Sequence, residues 1–183
     1  GNRRLKERGW SGVVVRVGDG PDSVWEVVNG GELGEKKGGN VPNVKIKLPA
    51  LTDKDKEDIR FGIKQGFDFI AASFVRTADC IREIKDMLEE AGSNMKVIAK
   101  IENAEGIENL DAIIEAADGI MLARGAMGVE IPAEKVPHIP TKIILKCNEA
   151  CQTVITSTQS LASMTRHPLP TPPAVPLLAH AVF

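Results

Sequence analysis

Three polar residues able to bind ligands, Lys100, Glu102 and Asn103, lie at the end of the apolar run 97–101. Lys100 supplies a positive charge that can stabilise an anion such as a phosphoryl group. Glu102 supplies a carboxylate, a hard oxygen ligand of the kind that Mg²⁺ needs. Taken alone, this stretch would be interpreted as a solvated strand end followed by a turn. Its meaning depends on the residues that follow the neighbouring strands.

The other apolar runs of the sequence also end on polar or turn-forming residues. Active sites of parallel α/β sheets and barrels lie at the carboxyl ends of the strands, so residues from different strands meet at one edge. We therefore predict an anion and metal site that contains Lys100 and Glu102. The residues that the other strands bring to this edge are Ser73, Arg76, Ala123, Arg124, Gly125, Thr156, Thr158 and Gln159.

The strands that must position these residues alternate with amphipathic helices. Nearly continuous apolar runs are typical of parallel strands covered on both faces. Thr52 and Asp55 form a candidate capping box for the first helix, and Thr77 is a candidate cap for the second. The β-α-β-α-β-α-β order predicts an α/β fold with a parallel sheet, either open or closed into a barrel. Strands are predicted at 67–74, 96–101, 119–122 and 153–157, and helices at 52–66, 77–92, around 110–117 and at 133–150.

The two ends of the chain differ from this central part in composition. Two β-branched runs, 12–17 and 24–28, flank a Gly/Pro/Asp cluster and predict a β-hairpin. We interpret the basic cluster that precedes them as a solvated tail. Five closely spaced prolines predict an extended tail after Arg166. The predicted segments are 1–42, rich in β structure; 43–165, the α/β part; and 166–183, the proline-rich tail.

Composition excludes several classes of function. The 183 residues carry a formal net charge of −2 with no dominant basic block, which argues against nucleic-acid binding. No apolar run approaches the roughly 18 residues needed to cross a membrane, so we expect no membrane partner. Three cysteines without a C-x-x-C pair favour a reducing, cytoplasmic compartment. Cys147 and Cys151, four apart on one predicted helix face, form only a weak metal signal, and buried packing is the favoured interpretation.

Several ordered motifs resemble bacterial-type pyruvate kinase. The segment VVNGGELGEKKGGNVP is similar to the return from the lid domain of that family into its barrel. The central motifs then follow in the order of the family, and the likeness covers about residues 25–165. These motifs are PALTDKDKEDIRFGIKQGFDFIAASFVR (49–76), KIENAEGIENLDAIIEAADGIMLARG (100–125), GVEIPAEK (128–135) and VITSTQ (154–159).

The resemblance implies part of a (β/α)8 TIM barrel, with about four of its parallel strands, preceded by a β segment from the lid domain. It implies phosphoryl transfer in glycolysis from phosphoenolpyruvate to ADP, yielding pyruvate and ATP, with Mg²⁺ and K⁺ as cofactors. It also implies a homo-oligomer. The implied catalytic residues are Lys100, which stabilises charge on the phosphoryl group, and Thr158, near the enolate carbon. The implied metal ligand is Glu102, and the implied substrate-binding residues are Ser73, Ala123, Arg124 and Gly125. Phe74 is implied to line the pocket beside Ser73.

The sequence departs from the family pattern at the metal turn. The family has an aspartate as its second Mg²⁺ carboxylate, whereas this chain has Ala126, so we expect weakened Mg²⁺ binding. The resemblance also implies K⁺ ligands and a phosphate-binding arginine on barrel strands that this sequence does not contain. From these departures we expect very low phosphoryl transfer by this chain.

Two other functions fit the same residues. The chain could act without catalysis, as a pyruvate kinase-like remnant that binds a ligand or a partner through this face. It could also be a metal-dependent aldolase of the pyruvate-enolate type, although Lys100 and the lid-like segment 27–42 disfavour that reaction.

Overall fold

The described strands form two separate sheets, one antiparallel with three strands and one parallel with four. The computed structural model describes residues 4–7, 10–17, 23–29, 50–123, 127, 131, 138–157, 162–170, 179 and 182.

The antiparallel sheet confirms the predicted hairpin and extends it. Strands β2 (Trp10–Val17) and β3 (Ser23–Asn29) pair antiparallel, with two register irregularities along β2. A further strand, β1 (Arg4–Glu7), pairs antiparallel with β2. The prediction of a tail is therefore wrong for residues 4–7, which form a strand, because backbone pairing does not require apolar side chains.

The second sheet has four parallel strands in the order β4-β5-β6-β7, as the alternation of strands and helices predicts. A short 3₁₀ helix, Ala162–Thr165, follows the last strand. The elements are α1 (Asp53–Gln65), β4 (Phe69–Ala72), α2 (Ala78–Glu90), β5 (Lys96–Ile101), α3 (Ala104–Glu108), α4 (Leu110–Ala116), β6 (Gly119–Ala123), α5 (His138–Glu149) and β7 (Val154–Ser157).

Local capping explains where the first helix begins and ends. The Thr52 hydroxyl accepts a hydrogen bond from the Asp55 amide at 3.1 Å, and the Asp55 carboxylate accepts one from the Thr52 amide at 2.9 Å. This confirms the predicted capping box. Gly66 ends α1 with a φ of 73°, the left-handed conformation that glycine adopts without strain. Thr77 stands at the N-cap of α2 but makes no side-chain capping bond, so that predicted cap is wrong.

The region between β5 and β6 forms two short helices, α3 and α4. Asn109 separates them, with φ −94° and ψ 15°. The predicted helix at 133–150 is confirmed for its second part, α5, whereas residues 132–137 lie outside the described ones. Most of the predicted proline-rich tail also lies outside them, namely residues 171–178, 180, 181 and 183.

The core lies between the parallel sheet and its helices. Strands β5 and β6 are central, and Val97, Ala99 and Ile101 are fully buried in the same apolar cluster as residues of α2 and α4. The two outer strands are less well covered. Phe69 on β4 is 65% exposed and Ile155 on β7 is 39% exposed. Burial is confirmed for most residues of the two central strands, although Lys96 is exposed and Lys100, Met121 and Ala123 are only partly buried. The prediction that β4 and β7 are covered on both faces is wrong among the described residues.

Asp118 ties three elements together at the amino end of the sheet. Its carboxylate accepts a hydrogen bond from the Val97 amide at 2.8 Å and another from the Lys85 ammonium at 3.1 Å. Partial burial disfavours the charged carboxylate. The Val97 amide, the Lys85 ammonium and the charge of Lys96 outweigh that penalty and hold the pKa of Asp118 below its usual range.

We expect Asp118→Asn to lower the free energy of unfolding at neutral pH by about 1 kcal/mol, because it removes the charge of a partly exposed pair. The folded carboxyl has a lowered pKa, so its contribution is present above the unfolded pKa of about 3.9 and is lost as the pH falls through the folded value. Urea unfolding from neutral pH down to about pH 3 measures this. Asp86→Asn, at an exposed position of α2, is the control. A difference between Asp118→Asn and the unmodified chain that does not change with pH would contradict the expectation.

Candidate active site

Lys100 and Glu102 lie on the same side of the chain at the carboxyl end of β5. Side chains of a strand alternate between its faces, so residues two apart share one face. Ala99 and Ile101 pack into the core with the helices, and Lys100 therefore projects from the opposite face. The Lys100 ammonium lies 3.4 Å from Oε1 of Glu102 and donates a hydrogen bond to the Ser73 hydroxyl at 3.1 Å. The predicted meeting of residues from neighbouring strands is confirmed for these three.

The Glu102 carboxylate is almost completely buried. It is 8% exposed, whereas the side chain of Lys100 is 25% exposed. A buried charge is very costly unless it is paired and hydrogen-bonded. Glu102 satisfies both conditions, because Oε1 faces the Lys100 ammonium and Oε2 accepts a hydrogen bond from the Phe74 amide at 2.7 Å.

The Phe74 amide reaches Glu102 through an unusual backbone conformation. Phe74 has a φ of 53°, in the left-handed region that a bulky side chain rarely adopts. Such a conformation costs on the order of 1–3 kcal/mol and persists only where surrounding contacts enforce it. The next amide, that of Val75, donates to the Lys100 carbonyl at 3.4 Å. The turn that follows β4 is thus held against the end of β5.

Asn103 and Gly106 join the start of α3 to this turn. The side-chain oxygen Oδ1 of Asn103 accepts a hydrogen bond from the Gly106 amide at 2.7 Å and caps the helix. A Cβ on Gly106 would lie only 2.6 Å from the Val75 carbonyl oxygen, so glycine is required for this close approach. Asn103 is 5% exposed, and among the described residues its Nδ2 has no hydrogen-bond partner.

The far side of the candidate site is described only in part. Ala123 ends β6, pairs in register with Ser157 of β7 and is half-buried. The predicted site residues Arg124, Gly125 and Thr158, together with Ala126, lie outside the described residues. Their proximity to Lys100 and Glu102 stays a prediction.

The Glu102 carboxylate can bind a metal ion whose other ligands are oxygens of a bound molecule and of water. Within the described part of the chain, no group of three or more His, Cys, Asp or Glu residues could hold a metal. A carboxylate offers about four lone-pair sites, however, and two contacts leave some of them open. Mg²⁺ often takes one or two carboxylates together with phosphate oxygens and water. Glu102 therefore fits Mg²⁺ in that mode.

The cysteines do not contribute reactive groups to this site. Burial raises the pKa of the Cys80 thiol, and the charges of Glu83 and Asp55 raise it further. Burial also raises the pKa of the Cys147 thiol. Cys151 is exposed and lies beyond the end of α5, so the predicted shared helix face with Cys147 is wrong. Protonated thiols are poor nucleophiles and poor metal ligands.

Sequence reasoning missed two contributors to the site. The resemblance implied Phe74 as a pocket-lining residue, but the hydrogen bond from its amide to Glu102 was not predicted, because a positive φ at a non-glycine residue leaves no trace in the sequence pattern. Asn109 was not predicted either, although its Nδ2 donates a hydrogen bond to the Arg76 carbonyl at 2.9 Å. An asparagine between two helical patterns is a capping signal at most.

Comparison with known proteins agrees with the fold. The family model described as "Pyruvate kinase, barrel domain" matches residues 8–183. A pyruvate kinase of Geobacillus stearothermophilus is 55% identical over 161 residues, which cover 87% of this chain and 27% of that protein. A pyruvate kinase of Clostridium acetobutylicum is 48% identical over 184 residues, covering 100% of this chain and 39% of that protein.

The chain therefore spans well under half the length of these curated relatives. No helix in the part of the chain that the structure describes is long and apolar enough to cross a membrane. The match to the barrel-domain family extends over most of the sequence, and the four parallel strands are those expected of part of a (β/α)8 barrel. On this evidence the chain belongs to the pyruvate kinase family and carries part of its barrel domain.

Proposed function

We propose that this chain provides phosphoryl-binding and metal-binding groups for the transfer of a phosphoryl group from phosphoenolpyruvate to ADP. The observation that carries the proposal is the pairing of Lys100 with the buried Glu102, at 3.4 Å, at the carboxyl end of a parallel strand. The relatives named pyruvate kinase support this reaction over aldol cleavage.

In the proposed mechanism Lys100 stabilises negative charge on the phosphoryl group in flight. Phosphoryl transfer depends chiefly on positioning and on electrostatic stabilisation, because the protein forms few covalent bonds during the reaction. The Ser73 hydroxyl accepts a hydrogen bond from the Lys100 ammonium and limits its position. A preorganised charge of this kind needs little reorganisation as the transition state forms.

Glu102 is the proposed ligand of Mg²⁺, with the remaining positions filled by substrate oxygens and water. When bound, the ion neutralises charge on the phosphoryl oxygens. The Phe74 amide holds one Glu102 oxygen in place, which fixes the direction in which the other lone pairs point. Residues Ala123, Arg124 and Gly125 are proposed to bind the substrate carboxylate, and Thr158 to assist protonation of the enolate carbon.

Other family properties are also proposals for this chain. We propose K⁺ as a second cofactor whose ligands lie on barrel strands that this sequence does not contain. Assembly into a homo-oligomer and a role in cytoplasmic glycolysis follow from the family in the same way. Binding of a ligand or partner without catalysis is the second candidate function, and Ala126 favours it because the family's second metal carboxylate is missing.

We expect Glu102→Gln to weaken binding of Mn²⁺, used as a paramagnetic substitute for Mg²⁺, by about tenfold or more, because a neutral amide lacks the charge that attracts the ion. Lys100→Met should strengthen Mn²⁺ binding in the absence of phosphate ligands, since it removes a positive charge beside the site. Water-proton relaxation measures both affinities.

Glu90→Gln, at an exposed position near the end of α2, is the matched control and should leave Mn²⁺ binding unchanged. Equal affinities of the unmodified chain and Glu102→Gln would show that the metal binds elsewhere. Weaker Mn²⁺ binding in Lys100→Met would show that Lys100 does not compete with the ion for Glu102.

We expect very low or undetectable production of pyruvate from phosphoenolpyruvate and ADP by this chain at saturating Mg²⁺ and K⁺. With Ala126 at the second carboxylate position the ion is poorly placed, and each ~1.4 kcal/mol lost from transition-state stabilisation slows the reaction about tenfold. Ala126→Asp alone should not restore full activity. A coupled assay measures turnover, with Glu102→Gln as the background control. Turnover in the usual range of kinases, roughly 1–100 per second, would refute this expectation.

A further inference from the structure

The turn at residues 73–76 is held from its far side by α3 and the residue after it. The Asn109 side-chain amide donates a hydrogen bond to the Arg76 carbonyl at 2.9 Å, joining residues 33 apart in sequence. Gly106, one turn earlier, permits contact with the Val75 carbonyl, because a Cβ there would lie 2.6 Å from that oxygen. One short segment, 106–109, thus binds the Arg76 carbonyl and packs closely against the neighbouring Val75 carbonyl.

The same turn delivers two groups to the candidate site. The Ser73 hydroxyl accepts a hydrogen bond from Lys100, and the Phe74 amide donates one to Glu102. The left-handed φ of Phe74 disfavours this arrangement, so contacts elsewhere must maintain it. The contacts to Gly106 and Asn109 lie immediately after Phe74, where they can restrain its backbone.

The hydrogen bonding of Asn109 indicates a task other than helix capping. Asn109 stands at the N-cap of α4, a position where an asparagine side chain commonly accepts a hydrogen bond from the helix. Its side chain makes no such bond and is directed to the 73–76 turn instead. The chain thus uses a capping residue for a contact between two loops.

We propose that Asn109 is a positioning residue of the candidate site. Its amide, together with the glycine at 106, holds the 73–76 turn in the conformation that aims the Phe74 amide at Glu102 and the Ser73 hydroxyl at Lys100. Asn109 itself touches neither Lys100 nor Glu102 through any described hydrogen bond or ion pair. The consequence for metal and phosphoryl binding rests on the function proposed above, whereas the consequence for the turn does not.

The test compares Asn109→Ala with Gln152→Ala. Gln152 is a matched control, because its side-chain amide also donates to backbone carbonyls of another element, those of Ile114 at 3.0 Å and Ala117 at 2.6 Å, away from the 73–76 turn. Two readouts are used on the full chain: hydrogen exchange of the Phe74 amide by NMR, corrected for the change in global stability, and Mn²⁺ affinity by water-proton relaxation.

We expect exchange of the Phe74 amide to become about tenfold faster in Asn109→Ala and Mn²⁺ affinity to fall several-fold, since local opening exposes an amide to exchange. Gln152→Ala should change global stability and neither of the two corrected readouts. Unchanged Phe74 exchange in Asn109→Ala, or an equal change in Gln152→Ala, would overturn the proposal.

The role of Asn109 can be tested even if the proposed metal site fails or if the Asn109→Ala variant does not fold. If the unmodified chain does not bind Mn²⁺, the metal role of Glu102 fails, and Phe74 exchange still decides whether Asn109 positions the turn. If Asn109→Ala does not fold, Asn109→Asp is used, which keeps the size of the side chain and removes its donor. Phe74 exchange in Asn109→Asp as slow as in the unmodified chain would overturn the proposal.

Discussion

Glu102 carries a negative charge on a side chain that is only 8% exposed, so this charge needs an opposite charge and hydrogen bonds in place of water. The carboxyl end of the parallel sheet is organised around that requirement. The ammonium of Lys100 supplies the opposite charge, and the amide of Phe74 supplies the hydrogen bond. The Phe74 contact depends on the alignment of β4 with β5, because Phe74 follows β4 and Glu102 follows β5, whereas Lys100 lies two residues before Glu102 in the same segment. Breaking either contact would leave a buried charge under-solvated, which costs more than the contact itself contributes.

The two ends of the sheet use polar groups for different purposes. At the amino end, Asp118 and Gln152 satisfy backbone groups of neighbouring elements and join helices to strands. At the carboxyl end, Lys100 and Glu102 pair on the side away from the helices, where we propose that the ligand binds. In barrels of this type, residues at the amino ends of the strands usually stabilise the fold, and residues at the carboxyl ends usually form the active site.

Membership of the pyruvate kinase family does not by itself determine what this chain does. A fold positions a site, and the chemistry depends on the particular residues of that site. Here Lys100 and Glu102 are present and paired, whereas Ala126 stands where the family has a carboxylate. The incomplete burial of Phe69 and Ile155 on the outer strands matches a sheet that represents part of a barrel. Function therefore has to be tested on the residues and not inferred from the fold.

The sequence by itself determined the parallel sheet, the capping box at Thr52 and the residues that follow the strands, because apolar periodicity and capping patterns depend on near neighbours in the chain. It also determined the family, through the order of the motifs. Only the tertiary structure decided that Phe74 adopts a positive φ, that its amide bonds to Glu102 and that Asn109 binds the Arg76 carbonyl. These contacts join residues 28 and 33 positions apart, and their geometry depends on how α3 packs against the turn. A pattern of residue types along the chain carries no information on that packing.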